Sequence, residues 1–96
     1  MKVDSATFKK SARFIIKRNV SERVDRVLAS FEPKKGDLRL IYCIRGKPTD
    51  DDVEDCEIAC AELIAEFPEV RTAETQCLSS EECTSMDNQD EVFSRS

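Results

Sequence analysis

The hydrophobic positions fall into runs whose spacing predicts the elements. Near the N-terminus, Phe8, Ala12 and Ile15 recur at i, i+4 and i+7, one face of a helix that Asp4 or Ser5 caps and that ends near Lys17 or Arg18. Phe14 falls off that stripe, and "FIIKRNV" also fits a short strand. Val24, Val27, Leu28 and Phe31 sit at i, i+3, i+4 and i+7, which predicts a second helix, capped by Asn19 or Ser21 and stopped by Pro33. "EPKKGD" reads as a turn punctuated by Gly36 and Asp37.

"LRLIYCIR" is the best strand in the chain. Leu38, Leu40, Tyr42 and Ile44 share one face, whereas Arg39, Ile41, Cys43 and Arg45 form a mixed, partly covered face, as expected of a central strand. "GKP" breaks it, and Thr49 caps a third helix running to Phe67, where Pro68 ends it. Asp50, Asp51 and Asp52 occupy its first turn, where the positive end of the helix dipole favours carboxylates. Its core stripe is Val53, Cys56, Cys60, Leu63, Ile64 and Phe67. A second strand, "VRTAETQCL", follows from Val70 to Leu78. Strand, helix and strand make a βαβ unit with parallel strands.

The predicted fold class is α/β or α+β, with two N-terminal helices packed on a small sheet built from the strand-helix-strand unit. Two strands are too few for a stable sheet, and a third is expected from the N-terminus, from "FIIKRNV" or from the C-terminal segment. Residues 1–78 form the single globular domain, and residues 79–96, acidic with few apolar side chains, form a flexible or loosely docked tail.

The chain of 96 residues is long enough for one modest core, and 40% hydrophobic with 36% charged residues fits a globular chain with a heavily charged exterior. Net charge is −5, but residues 1–48 carry 13 basic and 5 acidic side chains whereas residues 49–96 carry 2 basic and 15 acidic. Such asymmetry points to a polar macromolecular partner. "MKVDSATFKKSARF" lacks the apolar run of a signal peptide and no window approaches a membrane span, so a cytoplasmic location and no membrane partner are expected. On that reading Cys43, Cys56, Cys60, Cys77 and Cys83, an odd number, are expected to be reduced thiols.

The chemistry-bearing residues exclude more than they offer. The carboxylates from Asp50 to Asp55 lack the alternation and sharp-turn glycine of a calcium loop, and are better explained by the helix end; no metal is expected. Cys56 and Cys60 coincide with the apolar stripe, and with no histidine in the chain neither a zinc site nor an activated thiolate is indicated. The only glycines are Gly36 and Gly46, so there is no phosphate-binding loop. No enzyme activity and no cofactor are predicted. Lys9, Lys10, Arg13, Lys17, Arg18, Arg23 and Arg26 support an alternative, a nucleic-acid-associated regulator, although Asp25 interrupts the second basic segment and little aromatic surface is available for base stacking.

With its stripe inward, the third helix turns Asp51, Glu54, Asp55, Ile58, Ala61, Glu62, Ala65 and Glu66 outward. Ile58, Ala61 and Ala65 then form an apolar seam between carboxylates, either packed beneath another helix or open to a partner. The expected partner-binding set is Asp51, Glu54, Asp55, Ile58, Glu62, Glu66, Glu69 and Glu74.

The stretch "DLRLIYCIRGKPTDDDVEDCEIACAELIAEFPEV", a hydrophobic strand, a "GKPT" entry and a carboxylate-studded helix, resembles small bacterial immunity proteins. These protect cells from contact-dependent growth inhibition or bacteriocin nuclease toxins. The resemblance covers residues 37 to 78 and is one of size, charge and architecture, carrying over no functional residue. It implies a non-enzymatic inhibitor that binds a cognate toxin, often a nuclease acting on transfer RNA, by occluding its basic active site or an exosite.

Overall fold

The computed structural model of the chain describes residues 5–83 and 91–94 as an α+β fold. Helix α1 (Ser5–Lys17) is followed by strands β1 (Val24–Glu32) and β2 (Asp37–Ile44), helix α2 (Asp50–Glu66) and strand β3 (Thr72–Ser79). A single turn of helix, α3 (Ser80–Cys83), and a short strand, β4 (Glu91–Ser94), complete the described elements. The sheet order is β3-β2-β1-β4. β1 runs antiparallel to both β2 and β4, whereas β2 and β3 are parallel, as the βαβ reading requires.

β2 carries the core. Leu38, Leu40, Tyr42 and Ile44 are each no more than 1% exposed, and they face the layer formed by α1 and α2. Tyr42 donates its hydroxyl hydrogen to the Asn19 carbonyl at 3.0 Å, which satisfies the one polar atom on that face. On α1, Phe8, Ala12 and Ile15 are buried together with Ile16, and the Phe8 ring packs against Phe31 and Phe67 at 5.7 and 5.3 Å. Phe14 is 68% exposed, off the stripe as its position dictates. "FIIKRNV" begins within α1 and supplies no strand.

The expected second helix is instead β1. Its register against β2 shifts between Val24, opposite Ile44, and Arg26, opposite Cys43, so one extra residue lies on β1 there. That bulge brings Val24 and Val27, three positions apart, to the same core. Leu28 belongs to a second cluster, with Cys43 and Cys83, on the other face of the sheet. A bulged strand with apolar residues on both faces therefore imitates helical spacing. In the β1–β2 turn Gly36 has a φ of 71°, and its carbonyl accepts N–H bonds from Arg71 and Thr72. A Cβ there would lie 2.8 Å from the Glu69 carbonyl, so only glycine lets the turn seat against the start of β3.

α2 buries Cys56, Cys60, Leu63 and Phe67 as expected, and adds Ala59 and Asp52. Val53 and Ile64, assigned to the same stripe, are 41% and 40% exposed. They sit on one flank of the helix, just beyond the arc that the sheet covers.

The segment read as a tail joins the sheet. β4 pairs with β1, supplying a further strand, and Cys83 is buried. Arg26 ties this segment down, pairing with Glu91 at 2.8 Å and donating to the Cys83 carbonyl at 3.1 Å. Met86, read as one of its apolar residues, lies outside the described residues, as does Asp4. Contrary to the expectation of thiols throughout, Cys43 and Cys83 form a disulfide, leaving Cys56, Cys60 and Cys77 free. A bond that closes a span of 40 residues removes chain entropy from the unfolded state. Alkylation of the denatured, unreduced protein should label Cys56, Cys60 and Cys77 and spare the other two. Cys83→Ser should lower stability by about 3–4 kcal/mol in urea unfolding without reductant.

Candidate partner-binding surface

The start of α2 is built around a buried carboxylate. Thr49 caps the helix, and its hydroxyl accepts the Asp52 N–H at 3.3 Å while Asp52 accepts the Thr49 N–H at 2.8 Å, a complete capping box. The Arg23 guanidinium reaches the same carboxylate at 3.2 Å and donates to the Lys47 carbonyl at 2.8 Å. Asp52 is 2% exposed. Burial would raise its pKa, but the hydrogen bonds from Thr49 and the charge of Arg23 outweigh it and hold the carboxyl below its ordinary value. Sequence reasoning missed this role by grouping Asp52 with its neighbours; the T-x-x-D spacing is the signal that could have found it.

With the helix so fixed, its outer face is set. Asp51, Glu54, Ile58, Ala61, Ala65 and Glu66 are exposed, and Asp55 and Glu62 are half-buried. The seam at Ile58 is thus open, with Ile58 itself 44% exposed. Asp51, Glu54 and Glu66 form no ion pair among the described residues, so their charge faces solvent. Glu62 differs: it accepts bonds from Arg18 at 2.8 Å and Asn19 at 2.9 Å, which tether α2 to the end of α1. Glu69 is exposed in the turn leaving α2. Glu74 is not brought onto this surface. It lies on the opposite face of the sheet, where it pairs with Arg39 at 3.6 Å.

Beside the acidic face runs a groove of about 380 Å³ between α1 and α2, lined by Lys10, Ser11, Phe14, Ile15, Arg18 and Glu66. The Arg18 guanidinium lies 5.3 Å from the Phe14 ring centroid, and this exposed ring was not among the expected site residues. The basic residues of the alternative reading are dispersed. Lys9, Lys10, Arg13 and Lys17 lie on α1, but Arg18 and Arg23 pair with Glu62 and Asp52 on α2, and Arg26 pairs with Glu91. Because β1 replaces the second helix, the helix-turn-helix arrangement does not form.

Among the described residues, no group of three or more histidine, cysteine or acidic side chains is arranged to hold a metal, and no helix is long and apolar enough to cross a membrane. Cys56, Cys60 and Cys77 have pKa values pushed up, chiefly by burial, which suppresses the nucleophilic thiolate. Cys56 and Cys77 instead point their thiols at the Gln76 and Asp52 carbonyls, seating α2 on β3.

The lowered pKa of Asp52 links folding to pH. Its contribution is fully present above the unfolded carboxyl pKa of about 3.8 and is lost as pH falls through the still lower folded value. Asp52→Asn should therefore destabilise the protein by about 1–3 kcal/mol at neutral pH. In urea unfolding at stepped pH the gap to the parent should narrow as pH falls below about 3.8, through the lowered folded value. A gap that is constant across the acid range would show that the ion pair is not its source.

The sequence matches the family model for the MafI2 immunity protein over residues 10–96. A search of curated proteins found no match. The matched region takes in most of α1, the whole of α2, the complete sheet and the segment first read as a tail. On that coverage the chain belongs to the MafI2 immunity protein family.

Proposed function

We propose that this immunity protein neutralises its cognate toxin by docking the outer face of α2 onto a positively charged surface of that toxin, and that the toxin is a nuclease. The observation that carries the reading is the row formed by Asp51, Glu54 and Glu66 around the open Ile58, Ala61 and Ala65 seam, on a helix fixed at its start by Asp52. A nuclease presents lysine and arginine to phosphate. Carboxylates held on a capped helix complement that charge without first being ordered, while the apolar seam supplies the desolvated centre of the contact. Inhibition is then steric, by covering the active site or an adjoining exosite. The neighbouring basic face of α1, with Lys10, Arg13 and Lys17, favours contact at the margin of the catalytic cleft over a complete imitation of nucleic acid.

A nuclease toxin meets its substrate in the cytoplasm, and the reading places the encounter there. The Cys43–Cys83 bond then faces a reducing medium, from which its burial shields it: the two residues are 1% and 2% exposed.

The test uses the cognate toxin domain, with nucleic-acid cleavage as the activity assay. The triple variant Asp51→Lys, Glu54→Lys, Glu66→Lys should associate about tenfold more slowly or worse at low salt, and the deficit should shrink as salt rises. Circular dichroism should be unchanged, since none of the three carboxylates forms an ion pair among the described residues. An association rate equal to that of the parent at low salt would remove α2 from the interface.

A further inference from the structure

The two edges of the sheet are treated differently. One edge is β4, a strand of only 4 residues, too short to template a long partner strand, which the Arg26–Glu91 pair secures while the disulfide holds the preceding turn. β3 forms the other edge, and among the described residues it pairs with β2 alone. Backbone groups alternate in direction along a strand, so half of the residues from Thr72 to Ser79 turn their N–H and C=O away from β2. Edge strands are ordinarily protected by lysine, proline or a covering element. "TAETQCLS" contains neither lysine nor proline, and its one charged residue, Glu74, leans over the sheet face toward Arg39.

Above this edge lies the flank of α2 that carries Val53 and Ile64. The opposite flank, with Glu62, is tied to α1, and α1 packs over β1 and β4 at the far side of the sheet. Val53 and Ile64 are therefore turned away from α1, toward the β3 side. The contacts from Cys77 to the Asp52 carbonyl and from Cys56 to the Gln76 carbonyl place the first turns of α2 directly on this strand. Open main-chain groups and two exposed apolar side chains thus border one another, continuous through Glu57 and Ala61 with the acidic face of α2.

We propose that the β3 edge receives an extended strand of the cognate toxin, adding a fifth strand to the sheet, with Val53 and Ile64 gripping apolar side chains of that strand. An unpaired row of amides and carbonyls specifies an occupant in extended conformation. The charge around it specifies the occupant's sign. Glu57 and Glu69 are exposed beside the edge and the acidic outer face of α2 adjoins it, in a chain of net charge −5, so a second copy brings like charges together, whereas a strand bearing lysine or arginine is complemented. The inference rests on toxin binding as proposed above and adds a main-chain component to it.

The test is residue-resolved amide exchange on the full chain, free and in complex with the cognate toxin domain. On binding, amides at alternate positions between Thr72 and Ser79 should slow by about tenfold or more. The variant Val53→Asp, Ile64→Asp, which changes only half-exposed positions, should weaken the complex about tenfold while leaving exchange in β1 and β2 of the free chain unaltered. A complex that forms and protects α2 but leaves β3 exchange unchanged overturns the strand addition and leaves the toxin-binding reading standing. Absence of any complex with that domain overturns both. Protection of β3 that appears in the free protein as its concentration rises identifies a second copy as the occupant and also overturns the proposal.

Discussion

Asp52 is the one charged side chain that the described residues bury, and the layout of the functional surface follows from how that charge is held. An isolated carboxylate out of water is unfavourable by several kcal/mol, so the site is stable only with its donors in place. Those donors come from two distant parts of the chain: Thr49, three residues before it, and Arg23, at the entry to β1. Satisfying one buried charge thus fixes where α2 begins, how it is rotated and which end of the sheet it starts from. The outward direction of Asp51, Glu54 and Ile58 is a consequence of that rotation, since the same turn that sends Asp52 inward sends its neighbours out.

The opposed charge of the two halves of the sequence is resolved in part inside the fold. Arg18 with Glu62, Arg23 with Asp52, Arg26 with Glu91 and Arg39 with Glu74 each join a basic residue of the first half to an acidic residue of the second. Such pairs add little stability where they are exposed, but they orient elements. Two of them hold α2 against the start of the chain, and one holds β4. Of the negative charge left over after this pairing, much lies on the outer face of α2, where a macromolecular partner can reach it.

The parts legible in the sequence were those whose local pattern has one explanation. β2 alternates strictly over Leu38, Leu40, Tyr42 and Ile44, and α2 starts at a threonine followed by aspartates and ends at a proline, so both were found with nearly their true bounds. β1 was not legible because its bulge and its second apolar face give Val24, Val27, Leu28 and Phe31 the spacing of a helix. Nothing local distinguishes the two; the choice is made by pairing with β2 and β4. The role of the C-terminal segment was hidden for a related reason. Its order comes from the Cys43–Cys83 bond and from Arg26, both contributed by residues far away in sequence. Of the expected site residues, those on α2 share a surface because one helix carries them, whereas Glu74 falls elsewhere because strand parity, which the sequence did not reveal, turns it to the opposite face.

These placements bear on how an immunity protein of this size can bind a toxin. The layer of α1 and α2 covers one face of the sheet, the short strand β4 forms one edge, and α3 with its disulfide covers part of the second face. What remains is a continuous path from the acidic face of α2, across Val53 and Ile64, to the β3 edge. Long-range attraction and short-range fit make different demands on a surface. Carboxylates at solvent-exposed positions act over about a Debye length and set the rate of encounter, whereas hydrogen bonds and apolar contacts act only on touching and set the rate of escape. Here the two kinds of group lie side by side on elements that are already rigid, α2 through its capping box and β3 through its parallel pairing with β2. Little conformational entropy is then lost on binding, which is how a domain with so thin a core can present a tight surface without reorganising itself.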